Sequence, residues 1–226
     1  MKKWSELPQN MQTDAVKVYY DILKSKTASL ILKRIFDIIV SSVLIVICSP
    51  IMLILAICIK IDSKGPVMFR QRRVTTYNRV FRIFKFRTMV NDAEKKGTQV
   101  TTNNDPRVTK VGKIIRGCRL DELPQLFNVF LGDMTFVGTR PEVEKYVAEY
   151  TDEMMATLLL PAGITSVASI KYKDEERLLQ AAENTDEVYI KEVLPEKMKY
   201  NLEALKNFSF FGDIKIMFQT VLAVMK

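Results

Sequence analysis

Residues 38–59 read IIVSSVLIVICSPIMLILAICI, twenty-two positions without a charge. A helix of roughly 20 apolar residues matches the hydrocarbon thickness of a bilayer, so this run is long enough to enter one. It begins well inside the chain behind a polar leader, and no small-residue cleavage pattern follows, so a signal peptide is not expected. Ser49 and Pro50 interrupt its middle. Proline deletes one backbone hydrogen bond and bends a helix, and a serine hydroxyl can re-satisfy the freed carbonyl. Both flanks are basic, with Lys24, Lys26, Lys33 and Arg34 before and Lys60, Lys64, Arg70, Arg72 and Arg73 after. Positive charge on both sides gives no sidedness. The expectation is a re-entrant membrane helix-break-helix with both ends on the cytoplasmic face; a kinked single span is the alternative.

The remaining chain is long enough for one soluble domain with a real core. Across 226 residues, 34 Lys and Arg against 26 Asp and Glu give a net charge of +8, which favours an anionic partner. The chain has no histidine, so Ser-His and His-metal mechanisms are excluded and catalysis falls to carboxylates or lysine. Cys48, Cys58 and Cys118 have neither metal spacing nor a disulfide framework, which suits a reducing, cytoplasmic setting.

Three divisions follow: an N-terminal interfacial helical leader over 1–32, the membrane element over 33–62, and a catalytic domain on the cytosolic face over 63–226. In the leader, Val16, Tyr19, Tyr20, Leu23, Leu30 and Ile31 recur among lysines, as in an interfacial helix or one packed on the domain. A turn at 63–66 precedes 67–70 and 79–86, which alternate apolar and basic residues across 75–78, as a β-hairpin would. Residues 91–106 read as a loop, helical patterns return at 123–131, 143–160 and 178–189, and the tail 208–225 suits the membrane surface or the core. The fold class expected is α+β, mainly helical, with one short β-hairpin and amphipathic interfacial helices.

Arg70, Arg72, Arg73, Arg79, Arg82, Lys85 and Arg87 lie between Gly65 and Asn91 with no acid among them. They need external anions, lipid headgroups for some and bound phosphate for others, with Lys85 and Arg87 weighted toward a site. Two adjacent acids, Asp121 and Glu122, stand before Pro124, which suits the first turn of a helix and would leave them at its positive end. Successive helical residues diverge by about 100°, so the pair is poorly placed to serve one atom as acid and base. One can attack phosphorus while the other binds Mg²⁺, a hard cation suited to carboxylate and phosphate oxygens.

The run Leu120-Asp121-Glu122-Leu123-Pro124-Gln125-Leu126-Phe127-Asn128-Val129, with Gly132-Asp133-Met134 and Val137-Gly138-Thr139-Arg140-Pro141-Glu142, resembles the bacterial sugar transferases, the monotopic polyprenyl-phosphate phosphoglycosyl transferases. Lys33-Arg34-Ile35-Phe36-Asp37, Ser49-Pro50, Gly65-Pro66, 84–89, 105–107 and 161–165 fall in the same order. The resemblance implies transfer of a phosphosugar from a nucleotide sugar, usually UDP-linked, to polyprenyl phosphate at the cytoplasmic face of the bacterial inner membrane. It implies Asp121 as nucleophile, Glu122 beside it in the Mg²⁺ site, and Lys85, Arg116 and Arg140 on phosphates. It further implies that the Ser-Pro break turns the membrane helix back.

Thr139 stands where the family has proline and Arg119 where it has a small hydroxyl residue, and 165–174 departs from the family's pattern there. In that stretch Lys173 stands in for an arginine as a phosphate-binding cation without a fork of paired donors. Membrane lipid is a further partner, nucleic acid is not, and a homodimer stays open. A membrane-anchored anion-binding module without catalysis explains the charge and the apolar run, but not the two acids.

Overall fold

The computed structural model describes residues 1–91, 93, 105–172 and 184–225. Helix α1 (Asp14–Ser25) opens with Thr13 capping the backbone N–H of Val16, and α2 (Thr27–Asp62) follows after Lys26 alone. The hairpin is β1 (Met68–Thr75) and β2 (Arg79–Phe86), antiparallel with Met68 opposite Phe86. Tyr77 and Asn78 take positive φ in the turn between them. Then come α3 (Lys110–Gly117), a 3-10 turn (Leu120–Glu122), α4 (Gln125–Leu131) and β3 (Met134–Val137). The remaining elements are α5 (Glu144–Val147), a 3-10 segment (Met154–Leu159), β4 (Ala162–Thr165), α6 (Val167–Lys171), α7 (Thr185–Val188), α8 (Leu194–Lys206) and α9 (Phe210–Met225). A π-helical turn, Tyr189–Val193, joins α7 to α8. The described chain is mainly helical, and the β-hairpin stands where the alternation put it.

Ser49 and Pro50 do not divide α2, which stays one hydrogen-bonded element where two helices were expected. Pro50 has no N–H for the carbonyl of Val46, one turn back, and the Ser49 hydroxyl donates to that carbonyl at 2.8 Å. The orphan acceptor is thereby satisfied inside the helix, as it must be in a medium without water. Among the described residues α2 is the one helix long and apolar enough to cross a membrane. One stripe of it packs inward: Phe36, Val40 and Leu44 on Val129, Met134 and Phe81, then Met52 and Ile59 on Phe86 and Ile115. The opposite stripe is bare, with Val46 71 % and Ile61 80 % exposed.

Both ends of α2 are fastened to the same body. At the start, Lys33 donates to the carbonyl of Val137 at 2.8 Å and pairs with Asp213 of α9 at 2.5 Å. Asp37 accepts from the Thr135 hydroxyl at 2.7 Å and the N–H of Phe136 at 3.3 Å, in β3. At the finish, Asp62 caps the N–H of Val111, and Arg87 donates to the Ser63 carbonyl at 2.7 Å and the Lys64 carbonyl at 3.2 Å. Arg34 does the same for α4, donating to the carbonyls of Val129 and Phe130 at 2.7 and 2.8 Å. Each guanidinium meets carbonyls at or just past a helix C-terminus, the end of the dipole that favours a cation.

Arg87 is 6 % exposed. Arg87→Met is expected to leave those carbonyls short of donors and to cost about 2–4 kcal/mol, read as a lower thermal midpoint of the detergent-solubilised protein. An unchanged midpoint would contradict this role.

Helix α1 buries Val16, Tyr19, Tyr20 and Leu23 against Met155, Leu158, Leu159 and Leu205, so the leader is part of the core. The helix expected over 143–160 is two separate pieces, α5 and the 3-10 segment. Residues Met155 to Leu159 are buried in succession, so the run has no polar face to give it the period of a surface helix. Of 178–189, the described part is α7 and the start of the π turn. Of the loop at 91–106, all but Asn91, Ala93, Asp105 and Pro106 lie outside the described residues.

The sequence reading missed the parallel pair β3–β4, where Met134 lies opposite Ala162 and Val137 opposite Thr165. Just beyond it the two backbones touch: a Cβ on Gly163 would lie 2.2 Å from the Gly138 nitrogen. That contact excludes any larger residue.

Candidate active site

Strand β2 and helix α4 are locked together by one side chain. The Asn128 amide accepts from the N–H of Phe84 at 2.8 Å and donates to the carbonyl of Arg82 at 2.9 Å, extending the sheet edge with a side chain. Asn128 is fully buried, so this pair of bonds forms away from competing water. It sets the turn before α4 against Lys85 of β2. Pro124 is the residue immediately before α4, and Asp121 and Glu122 sit in the 3-10 turn ahead of it. Arg119, in the left-handed region at φ 56°, swings the chain from α3 into that turn.

The two acids have different surroundings. Glu122 Oε1 accepts from Lys85 Nζ at 2.9 Å and from Arg140 Nη2 at 2.9 Å. Burial pushes the Glu122 carboxyl up, but Arg140 and Lys85 outweigh it and hold the group well below the usual carboxylate range. Burial lowers the Lys85 ammonium, against the pull of Glu122. No other residue hydrogen-bonds to the Asp121 side chain among the described residues. Burial raises its carboxyl, opposed by Lys85 and Arg116. Arg116, on α3, reaches this neighbourhood with its Nε donating to Thr88 Oγ1 at 2.7 Å.

Three of the anticipated cations therefore converge on the two acids: Lys85, Arg116 and Arg140. Arg87 is instead engaged with carbonyls at the end of α2. The alternation along β2 could not separate it from Lys85, since carbonyls and phosphates attract the same donor. Lys173 lies outside the described residues. Thr139 serves through its backbone, accepting from the N–H of Gly163 at 2.8 Å. Asn128 was not foreseen. Its signal is a buried amide in the helix that follows the acids, and sequence alone does not show burial.

Among the described residues no three carboxylates, cysteines or histidines cluster. Mg²⁺ is commonly held by one or two carboxylates plus phosphate oxygens and water, so Asp121 and Glu122 suffice as a donor set.

A model of the family described as bacterial sugar transferase matches residues 28–226. The chain belongs to this family. A UDP-N-acetylgalactosamine-undecaprenyl-phosphate N-acetylgalactosaminephosphotransferase of Aeromonas hydrophila is 39 % identical over 86 % of this chain and 44 % of its own length. A UDP-glucose:undecaprenyl-phosphate glucose-1-phosphate transferase of Klebsiella pneumoniae is 38 % identical over 85 % of this chain and 40 % of its own. One of the same name from Caulobacter vibrioides is 32 % identical over 84 % of this chain and 68 % of its own length. The chain thus spans less than half the length of the first two relatives. As a family member it carries the bacterial sugar transferase match across the acids, the three cations around them and α2.

Proposed function

We propose that this chain transfers a phosphosugar from a nucleotide sugar, of the UDP class, to polyprenyl phosphate, through a covalent intermediate on Asp121. The observation that carries the reading is the asymmetry of the acids: Glu122 is pinned by two cations while Asp121 keeps its carboxylate available. Asp121 attacks the phosphorus bearing the sugar, the bond to the bridging oxygen breaks, and UMP leaves with that oxygen. An oxygen of polyprenyl phosphate then attacks the same phosphorus and frees Asp121, giving a polyprenyl diphosphate sugar. Two anionic substrates repel each other, and sequential visits avoid their meeting.

Lys85, Arg116 and Arg140 offset charge on the phosphates in both halves of the cycle. Glu122 keeps Lys85 and Arg140 extended toward the site. Mg²⁺ bound by Asp121 and Glu122 would supply further neutralisation of the diphosphate. The relatives' names, all undecaprenyl-phosphate sugar phosphotransferases, support the substrate classes.

In this reading residues 33–62 enter and leave the bilayer on the cytoplasmic side, and 63–226 work at that face to begin a glycan. Attachment of both ends of α2 to one body favours this over a single span, which would part them. The direct test is multiple-turnover release of UMP from a panel of UDP-sugars, dependent on polyprenyl phosphate and Mg²⁺. Tight binding of anions without any turnover would instead mark a non-catalytic module.

The reaction should also carry an acid limb. Asp121 attacks only when ionised, and burial raises its value. The rate is therefore expected to fall with decreasing pH at a midpoint above the ordinary aspartate value of about 3.9. A midpoint at or below that value would remove the nucleophile's buried character from the mechanism.

A further inference from the structure

Arg140 reaches Glu122 from an irregular strap, residues 138–142, that is tied down at both ends. At the near end Gly138 donates to the Thr165 carbonyl at 2.9 Å, and the Thr139 carbonyl accepts from Gly163 at 2.8 Å. At the far end Glu142 enters a buried ionic group. Its Oε1 accepts from the Tyr189 hydroxyl at 2.5 Å, the same hydroxyl accepts from Lys197 Nζ at 3.0 Å, and Lys197 lies 3.7 Å from Glu142. Arg73 of β1 donates to the Pro141 carbonyl at 3.1 Å and stands 3.9 Å from Glu142. Glu142, Tyr189 and Lys197 are 7 %, 4 % and 5 % exposed.

A buried ion cluster of this kind adds little to stability, because desolvation of the charges cancels most of their attraction; apolar residues of equal volume serve a fold as well or better. What such a cluster provides is fixed geometry. Tyr189 lies in the π-helical turn, and Lys197 projects from α8 one element later, so both approach from a part of the chain remote from the acids. Only Pro141 lies between Arg140 and Glu142, too short a link to absorb a shift at one without moving the other.

We infer that Glu142, held by Tyr189 and Lys197, is a positioning residue that sets the aim of Arg140 at the phosphate site. The kinetic consequences rest on the phosphosugar-transfer reading; the geometric ones do not.

Tyr189→Phe removes the shared hydroxyl and keeps the ring, whose centroid is 4.6 Å from that of Tyr146. It is expected to lower kcat/KM for the nucleotide sugar about tenfold, and by less than about twofold when introduced into Arg140→Lys, since one route to the phosphate is then already lost. Leu205→Ala, on α8 but outside the group, controls for instability: it should lower the thermal midpoint and leave kcat/KM within about twofold. In parallel, hydrogen exchange of the peptide covering 138–142 should quicken in Tyr189→Phe and not in Leu205→Ala.

The inference is overturned by unchanged exchange in the strap, by a kcat/KM that follows Leu205→Ala, or by losses that multiply in the double variant. Should the wild-type protein turn over no nucleotide sugar, the transfer reading falls, and the exchange measurement alone decides the positioning role.

Discussion

Asp121→Asn is expected to abolish turnover, by about 10⁴-fold or more, while making the folded protein more resistant to heat. The activity loss follows from removing the attacking oxygen's charge. The stability gain follows from burial, which raises the Asp121 carboxyl above its unfolded value. A group that holds its proton more tightly when folded favours the fold in acid and loses that advantage as pH rises through the folded value. At neutral pH the native protein therefore carries an ionised carboxylate in a place that favours the neutral form, and asparagine relieves it. Wild-type protein given donor without acceptor should gain the mass of one phosphosugar on rapid quenching, and the variant should not. Residual activity near the wild-type level, or an adduct that persists in Asp121→Asn, would remove Asp121 from the mechanism.

Glu122→Gln should behave in the opposite way toward heat. It leaves Lys85 and Arg140 without their shared anion, and removal of one partner from a buried pair costs about 3–5 kcal/mol. Arg140 keeps 37 % of its side chain in solvent, which screens part of this and brings the expected loss to about 2–3 kcal/mol. Burial would raise Glu122, yet Arg140 and Lys85 hold it low. Its contribution is therefore complete above the unfolded carboxylate value and fades as pH falls from there toward the folded one. The gap between wild type and Glu122→Gln in thermal midpoint should be widest at neutral pH and close in strong acid. Turnover should drop about 10²–10³-fold, as for loss of one electrostatic contact at a phosphate. Equal midpoints for the two proteins at pH 7 would show that the cations do not depend on this acid.

The pair of variants separates chemistry from architecture, and the sequence carried half of that distinction. Adjacent acids before a proline were visible, and the family resemblance divided their roles; only the fold shows why they differ, since Lys85 comes from 37 residues upstream and Arg140 from 18 downstream. The β-hairpin was legible because its alternation of apolar and basic residues has a period of two. The strands β3 and β4 were not, because they are four residues each and almost wholly buried.

Arg87 shows the limit from another side. Within a run of cations, nothing local says which will meet helix carbonyls and which a phosphate. Glu142, Tyr189 and Lys197 meet across 47 and 55 positions of chain, a pairing that no short-range pattern encodes.

The fastening of α2 at Lys33 and Asp37 on one side and at Asp62 on the other makes the helix a ruler. In the proposed membrane placement it cannot tilt to match a thicker or thinner bilayer without carrying the acids along, so immersion depth and the height of Asp121 above the headgroups become one quantity. Lipid composition would then tune catalysis by thickness alone, through where the lipid phosphate comes to rest against a site whose elevation the protein does not adjust.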